Sequence, residues 1–94
     1  MARQLVLKAS FQRAYDRLST DDQLRVKKAL RFLQHYLRTG EAPVGLGLKK
    51  VGLGVYEFRV GLALRGVYVE EEGRVLALVL LGSHADVRHF LQRA

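Results

Sequence analysis

The sequence contains no cysteine and no tryptophan, and only one proline and one methionine. Without cysteine the chain has no disulfide, no thiolate nucleophile and no cysteine metal site, which fits a reducing compartment; we expect a cytoplasmic protein. The longest apolar run, Val75 to Leu81, is far shorter than the roughly 20 residues that a membrane helix needs. The amino-terminal residues also lack the apolar stretch of a signal peptide. We therefore expect no membrane contact.

Acidic residues are scarce as well. Asp and Glu total 9 against 16 Lys and Arg, which gives a net charge of +7. A small basic domain favours a polyanionic partner, either nucleic acid or a strongly acidic protein segment. The length of 94 residues, of which 49% are hydrophobic, predicts one folded domain over 1–94 with a modest core. Function is then expected on a surface rather than in a deep cavity.

The first half of the chain has the periodicity of a helical hairpin. A short strand is predicted over residues 3–7, and a first helix follows with Ser10 as its N-cap. Thr20 and Gln23 have the spacing of a capping box at the start of a second helix, which Gly40 ends.

In the second half the period changes to two. Residues 40–54 are rich in glycine and are predicted to form a loop. Strands are predicted over Val55–Val60, Ala63–Glu70 and Val75–Leu81, and a short helix over Ser83–Leu91. The expected fold is α+β, with two N-terminal helices on a mostly antiparallel sheet of about four strands and a short C-terminal helix. The other face of the sheet is expected to be partly open and to carry the functional site.

Four segments together resemble a known family. They are Leu48-Lys49-Lys50, Val55-Tyr56-Glu57-Phe58-Arg59-Val60, Leu64-Arg65-Gly66-Val67-Tyr68 and Leu81-Gly82-Ser83-His84-Ala85-Asp86-Val87-Arg88-His89-Phe90. In this order, in a short basic chain, they resemble the RelE/ParE superfamily of bacterial toxins from toxin–antitoxin pairs. The resemblance implies a cytoplasmic toxin that an acidic antitoxin neutralises. RelE-like members cut messenger RNA on the ribosome, whereas ParE-like members inhibit DNA gyrase.

The resemblance also implies roles for individual residues. Arg59 and Arg65 match cationic positions that would hold a phosphate, because a guanidinium binds two oxygens and keeps its charge. His84 matches a basic position after the last strand, and an imidazole can either donate or accept a proton. Glu57 stands where RelE has a lysine and is a candidate general base. We expect neither a metal nor a cofactor.

Four further residues are expected to bind RNA: Lys49, Lys50, Phe90 and Arg88. Phe90 stands where RelE has a tyrosine; it can stack on a base but cannot transfer a proton. These departures leave open a ParE-like toxin that inhibits gyrase without cutting RNA. A basic nucleic-acid-binding domain without toxicity is the third hypothesis.

The sequence leaves structural alternatives open for the same residues. Arg59 can instead pair with Glu57 or Glu70, and His84 can simply cap the last helix. The basic residues between Arg25 and Arg38 can be a solvated helix face, or can face ribosomal RNA or an acidic antitoxin. The expected partners are an antitoxin, the ribosome and mRNA, with a homodimer open when the antitoxin is absent.

Overall fold

The structure, a computed structural model, describes residues 3–93. Along the chain the elements are β1 (Gln4–Leu7), α1 (Ala9–Asp16), α2 (Thr20–Thr39), β2 (Lys49–Gly52), β3 (Val55–Arg59), β4 (Arg65–Glu71), β5 (Val75–Gly82) and α3 (His84–Arg93). A single 3-10 turn, Glu72–Arg74, joins β4 to β5. Within the described residues no helix is long and apolar enough to cross a membrane.

The five strands form one mixed sheet in the order β1-β5-β4-β3-β2. Only β1 and β5 are parallel; the other neighbours are antiparallel. This confirms the predicted α+β architecture, but the strand count of about four was too low. The missed strand, Lys49–Gly52, lies in the segment predicted as a loop. Its two lysines and a glycine have low strand propensity, and it forms because β3 pairs with it across a short hairpin.

Helix α2 begins one residue earlier than the capping pattern predicted. Ser19 is the N-cap, and its hydroxyl accepts a hydrogen bond from the Asp22 amide at 3.2 Å. Thr20 is the first helical residue, and Gln23 does not close a capping box with it but donates to a carbonyl of α1. Gly40 ends the helix as predicted, with a left-handed φ of 82° that favours glycine.

Helix α1 is anchored to the sheet rather than capped by serine. Lys8 occupies the N-cap position without a side-chain hydrogen bond. The Ser10 hydroxyl donates to the Val79 carbonyl of β5 at 2.7 Å, so the predicted N-cap role of Ser10 was wrong.

Helices α1 and α2 pack against one face of the sheet and enclose the core. Leu46 in the loop before β2 is completely buried there and closes one side. The core consists of Phe11, Val26, Ala29, Leu33, Leu46, Phe58, Tyr68, Leu76, Leu78 and Leu81.

The second face of the sheet is covered in part by α3, which contacts β4 and β5. Val67 and Ala77 lie on this face and are fully buried, and α3 carries the buried Val87. The part of this face on β2 and β3 lies beside the part that α3 covers, and it is where we look for a functional site.

Candidate functional site

Two neighbouring rows of predicted site residues cross the second face of the sheet. In one row Lys49 of β2 is the Cα partner of Glu57 of β3. In the next, Arg59 of β3 is opposite Arg65 of β4, which is opposite Gly82 of β5. Side chains alternate along a strand, so Glu57 and Arg59 point away from the core. Three strands thus gather a carboxylate and three cations on one surface, which we call the basic face: Lys49, Glu57, Arg59 and Arg65.

Glu57 and Arg65 form a largely buried ion pair at the centre of the basic face. Arg65 Nε lies 3.3 Å from Glu57 Oε2, and the two side chains are only 14% and 10% exposed. Arg65 Nη1 also donates to the Gly61 carbonyl in the β3–β4 turn at 2.8 Å. The guanidinium therefore ties the turn to the strand and orients the Glu57 carboxylate at the same time. Removing either partner would leave the other charge buried and unpaired.

Arg59 is the exposed arginine of the face. Its backbone amide donates to the Leu46 carbonyl at 2.8 Å, which fixes the end of β3 to the preceding loop. Gly47, with a left-handed φ of 58°, lies against its stem; a β-carbon there would be 3.2 Å from Arg59 Cβ. In the described part of the chain Arg59 makes no ion pair. The expected alternative, pairing of Arg59 with Glu57 or Glu70, was wrong, because Arg65 takes Glu57.

His84 begins α3 and is exposed. It lies two residues beyond Gly82, the Cα partner of Arg65, so β5 brings it to the same end of the basic face. His84 is not the helix cap. That role belongs to Ser83 and Asp86, which bond each other reciprocally: Ser83 N to Asp86 Oδ2 at 2.8 Å and Asp86 N to Ser83 Oγ at 3.1 Å.

The cap sets the charge of Asp86 and the direction of α3. Hydrogen bonding from the backbone amide of Ser83 and from its side chain lowers the pKa of the Asp86 carboxyl, because it favours the ionised form. Gly82 is required by the same turn, since a β-carbon there would come within 2.6 Å of Asp86 Oδ2. Ser83, Asp86 and Gly82 therefore position His84 without contacting a substrate themselves.

The four predicted RNA-binding residues do not lie together. Lys49 shares the basic face, but Lys50 is opposite Tyr56, so it belongs to the helix side of the sheet. Arg88 is exposed and stands four residues after His84, on the same side of α3. Phe90 is half-buried three residues after the buried Val87, so its ring belongs to the inward side of α3.

Sequence reasoning missed the residues that shape this face. Leu46 and Gly47 lie in the segment predicted as a featureless loop, and nothing in their local pattern shows that Arg59 packs there. The cap was readable, because Gly82-Ser83 followed by an acidic residue three positions on has the spacing of a capping box. Among residues 3–93 no group of three His, Asp or Glu side chains has the arrangement of a metal site.

Comparison with known proteins locates the fold among solved structures. No protein-family model matches the chain, and no curated protein matches it in sequence. A mutant of the E. coli toxin RelE in the free state has a TM-score of 0.67 and 18% identity, covering 99% of this chain and 98% of that chain. A YoeB/ParE toxin from Agrobacterium tumefaciens has a TM-score of 0.65 and 22% identity, covering 86% of this chain and 98% of that one.

A third solved structure is a toxin–antitoxin complex, RelBE2 from Mycobacterium tuberculosis. Its TM-score is 0.53 with 12% identity, covering 89% of this chain and 100% of that chain. These three structures cover 86–99% of this chain. The chain therefore has the fold of the RelE/ParE toxins.

Proposed function

We propose that this chain is a cytoplasmic toxin of a toxin–antitoxin pair and acts as a ribosome-dependent messenger-RNA endonuclease. The observation that carries the proposal is the basic face: a RelE-like sheet on which Glu57 lies beside Arg65 and Arg59, with His84 at the same end. RNA can cut itself through its own 2′-hydroxyl, so a protein needs only a base, an acid and fixed cations. Such chemistry suits an open surface.

In the proposed reaction Glu57 takes the proton of the 2′-hydroxyl, and the 2′-oxygen attacks the adjacent phosphorus. The bond from phosphorus to the 5′-oxygen breaks, and protonated His84 gives its proton to that oxygen. The products are a 2′,3′-cyclic phosphate and a 5′-hydroxyl. Arg59 stabilises the extra negative charge on the phosphorus oxygens, since its guanidinium is exposed and has no ion-pair partner among the described residues.

Arg65 has a different role in this proposal from the one first expected. Its contacts with Glu57 and the Gly61 carbonyl make it the residue that orients the base. Lys49 and Arg88 hold the RNA backbone beside the site, as their exposed positions allow. Lys50 has little or no role in RNA binding under this proposal, because it lies on the helix side of the sheet. The same holds for Phe90, because its ring is half-buried.

A second function is favoured by one observation. Glu57 is only 7% exposed and paired, which suits a structural carboxylate better than a base that must reach a hydroxyl. A ParE-like toxin that inhibits DNA gyrase without cutting RNA would need no base. An acidic antitoxin is the expected partner under either function.

The test is cleavage of a defined mRNA by the purified chain, with and without programmed ribosomes. Variants Arg59→Ala and His84→Ala are compared with Arg17→Ala, an exposed arginine at the end of α1. We expect cutting that needs the ribosome, is reduced at least about a hundredfold in both site variants, and is unchanged in the control. Growth arrest with DNA damage and no cleavage would support gyrase inhibition instead. Normal growth on induced expression would contradict both toxin proposals.

A further inference from the structure

A cleft lies between the first turns of α2 and the turn that joins β3 to β4. Its volume is about 400 Å³. The turn cleft, as we call it, has a polar wall formed by Asp22 and Arg25 of α2 and an apolar wall formed by residues 61–64. Because Arg59 and Arg65 are the last paired residues before this turn, the cleft lies at the end of the sheet that carries the candidate site.

The apolar wall of the turn cleft is exposed but held in place. Leu62 is fully exposed at the tip of the turn. The Gly61 amide donates to the Leu64 carbonyl at 3.1 Å, which closes the turn. Arg65 Nη1 donates to the Gly61 carbonyl, and the same guanidinium holds Glu57. A group that packs on Leu62 therefore meets an ordered surface, which lowers the entropic cost of binding.

The polar wall offers an acceptor beside donors. Asp22 accepts a hydrogen bond from Arg25 Nη1 through Oδ1 at 2.9 Å. Its second oxygen, Oδ2, accepts no hydrogen bond from the described residues. Both side chains are exposed, so the pair is weak and the carboxylate is open to a ligand. A carboxylate only accepts, so this oxygen suits a ligand that carries an N–H donor.

The charges around the turn cleft favour RNA over an acidic polypeptide. Asp22 lines the cleft and Asp21 is exposed next to it, so an acidic segment would be repelled. A nucleobase is neutral, and its phosphates can remain outside on cations. Arg25 lines the turn cleft and also a neighbouring depression that Arg59 lines. One RNA strand with a phosphate at Arg59 can therefore place an adjacent base in the cleft.

We propose that the turn cleft binds one nucleobase of the RNA and selects bases that carry an exocyclic amino group. The base packs on Leu62, and its amino group donates to the free oxygen of Asp22, as the amino group of cytosine donates to carboxylates elsewhere. Uracil has no amino group, and the carbonyl oxygens on either side of its N–H are repelled by the carboxylate. The inference rests on the proposed function because it requires RNA at the basic face.

The experiment compares short labelled 2′-O-methyl oligonucleotides, oligocytidylate and oligouridylate, for binding to the full chain without ribosomes. The methyl group blocks the attacking hydroxyl, so fluorescence anisotropy measures binding apart from cleavage. We expect the wild type to bind oligocytidylate about fivefold more tightly than oligouridylate. Asp22→Asn should reduce this preference to less than about twofold, because an amide can donate as well as accept.

Two matched controls test the residues of each wall. Asp21→Asn removes the same charge from the adjacent exposed position, which does not line the cleft, and should keep the preference for oligocytidylate. Leu62→Ala should weaken binding of both oligonucleotides about threefold, because apolar contact with the base is lost. Leu53→Ala changes another exposed leucine, in the β2–β3 turn at the opposite end of β3, and should leave binding unchanged.

Three binding results would overturn the proposal. They are no preference for oligocytidylate in the wild type, equal losses of preference in Asp22→Asn and Asp21→Asn, and equal effects of Leu62→Ala and Leu53→Ala. Sedimentation velocity provides a fourth. A dimer that Leu62→Ala dissociates would mean that a second copy of the chain occupies the cleft.

The turn cleft and the proposed function can fail separately. A chain that shows the Asp22-dependent preference but cuts no mRNA would retain the cleft as a base-binding site and refute the endonuclease. A chain that cuts mRNA on the ribosome but binds both oligonucleotides equally would retain the endonuclease and refute the cleft.

Discussion

The two arginines of the basic face look equivalent in sequence but have different surroundings. Arg65 is buried against Glu57, whereas Arg59 is exposed and has no ion-pair partner among the described residues. We expect Arg65→Ala to lower the free energy of unfolding by about 3 kcal/mol, because it leaves Glu57 buried and unpaired. Arg59→Ala should change it by less than about 0.5 kcal/mol. Urea denaturation of both variants measures this.

A double-mutant cycle of Arg65→Ala with Glu57→Ala provides the control. The coupling energy should be about 1–3 kcal/mol, since the two side chains are in direct contact. A coupling near zero would mean that the pair contributes little and that Arg65 is held mainly by the turn. In that case loss of cleavage in Arg65→Ala would again point to a phosphate contact.

Gly66 is a second residue whose identity the structure fixes. It is buried opposite Phe58, and a β-carbon on it would come within 2.7 Å of Phe58 Cε2. Neither backbone nor ring can move far in a packed core, so Gly66→Ala should destabilise the chain by about 2–3 kcal/mol. Gly61→Ala is the control, because its β-carbon would meet only the flexible Arg25 side chain at 3.4 Å. Equal thermal stability of the two variants would contradict the packing argument.

The cap formed by Ser83 and Asp86 makes the stability of α3 depend on pH. The hydrogen bonds from Ser83 lower the pKa of Asp86 below its usual value of 3.8. The stabilisation is therefore fully present above pH 3.8 and is lost as the pH falls through the lower, folded-state value. The difference in unfolding free energy between the wild type and Asp86→Asn should therefore become smaller as the pH falls below 3.8. Urea titrations at several pH values measure it, with Glu41→Gln as the control.

Elements were predictable where local pattern and tertiary structure agree. The capping spacing at Thr20, the stop at Gly40 and the alternation from Val55 predicted α2 and β3 within a residue or two. Strand β2 was not predictable, because three of its four residues, two lysines and a glycine, have weak strand propensity and the strand depends on pairing with β3. For the candidate site, the sequence indicated which residues take part but not which of them contact each other. Which arginine would pair with Glu57 depends on how the β3–β4 turn places Gly61, which no local pattern encodes.

The cations of the molecule lie mainly on two neighbouring surfaces. The basic face lies on the sheet, and a second group of cations that includes Arg25 and Lys28 lies on α2; Arg59 lies between the two. A net charge of +7 alone would attract any polyanion to either surface. Function under this arrangement depends on which cations contact which ligand, rather than on total charge.

The dependence of RNA affinity on salt concentration distinguishes a specific phosphate contact from attraction by net charge. If RNA lies on the basic face, Arg59 neutralises one phosphate and binding releases its counterion. For single-stranded RNA the slope of log affinity against log salt should then fall by about 0.7 in Arg59→Ala. Arg17→Ala removes the same charge from the far end of α1 and should leave the slope unchanged. The measurement is fluorescence anisotropy of a labelled oligouridylate over a series of salt concentrations. Equal changes in both variants would mean that the RNA responds to net charge, and the basic face would then have no specific phosphate contact at Arg59.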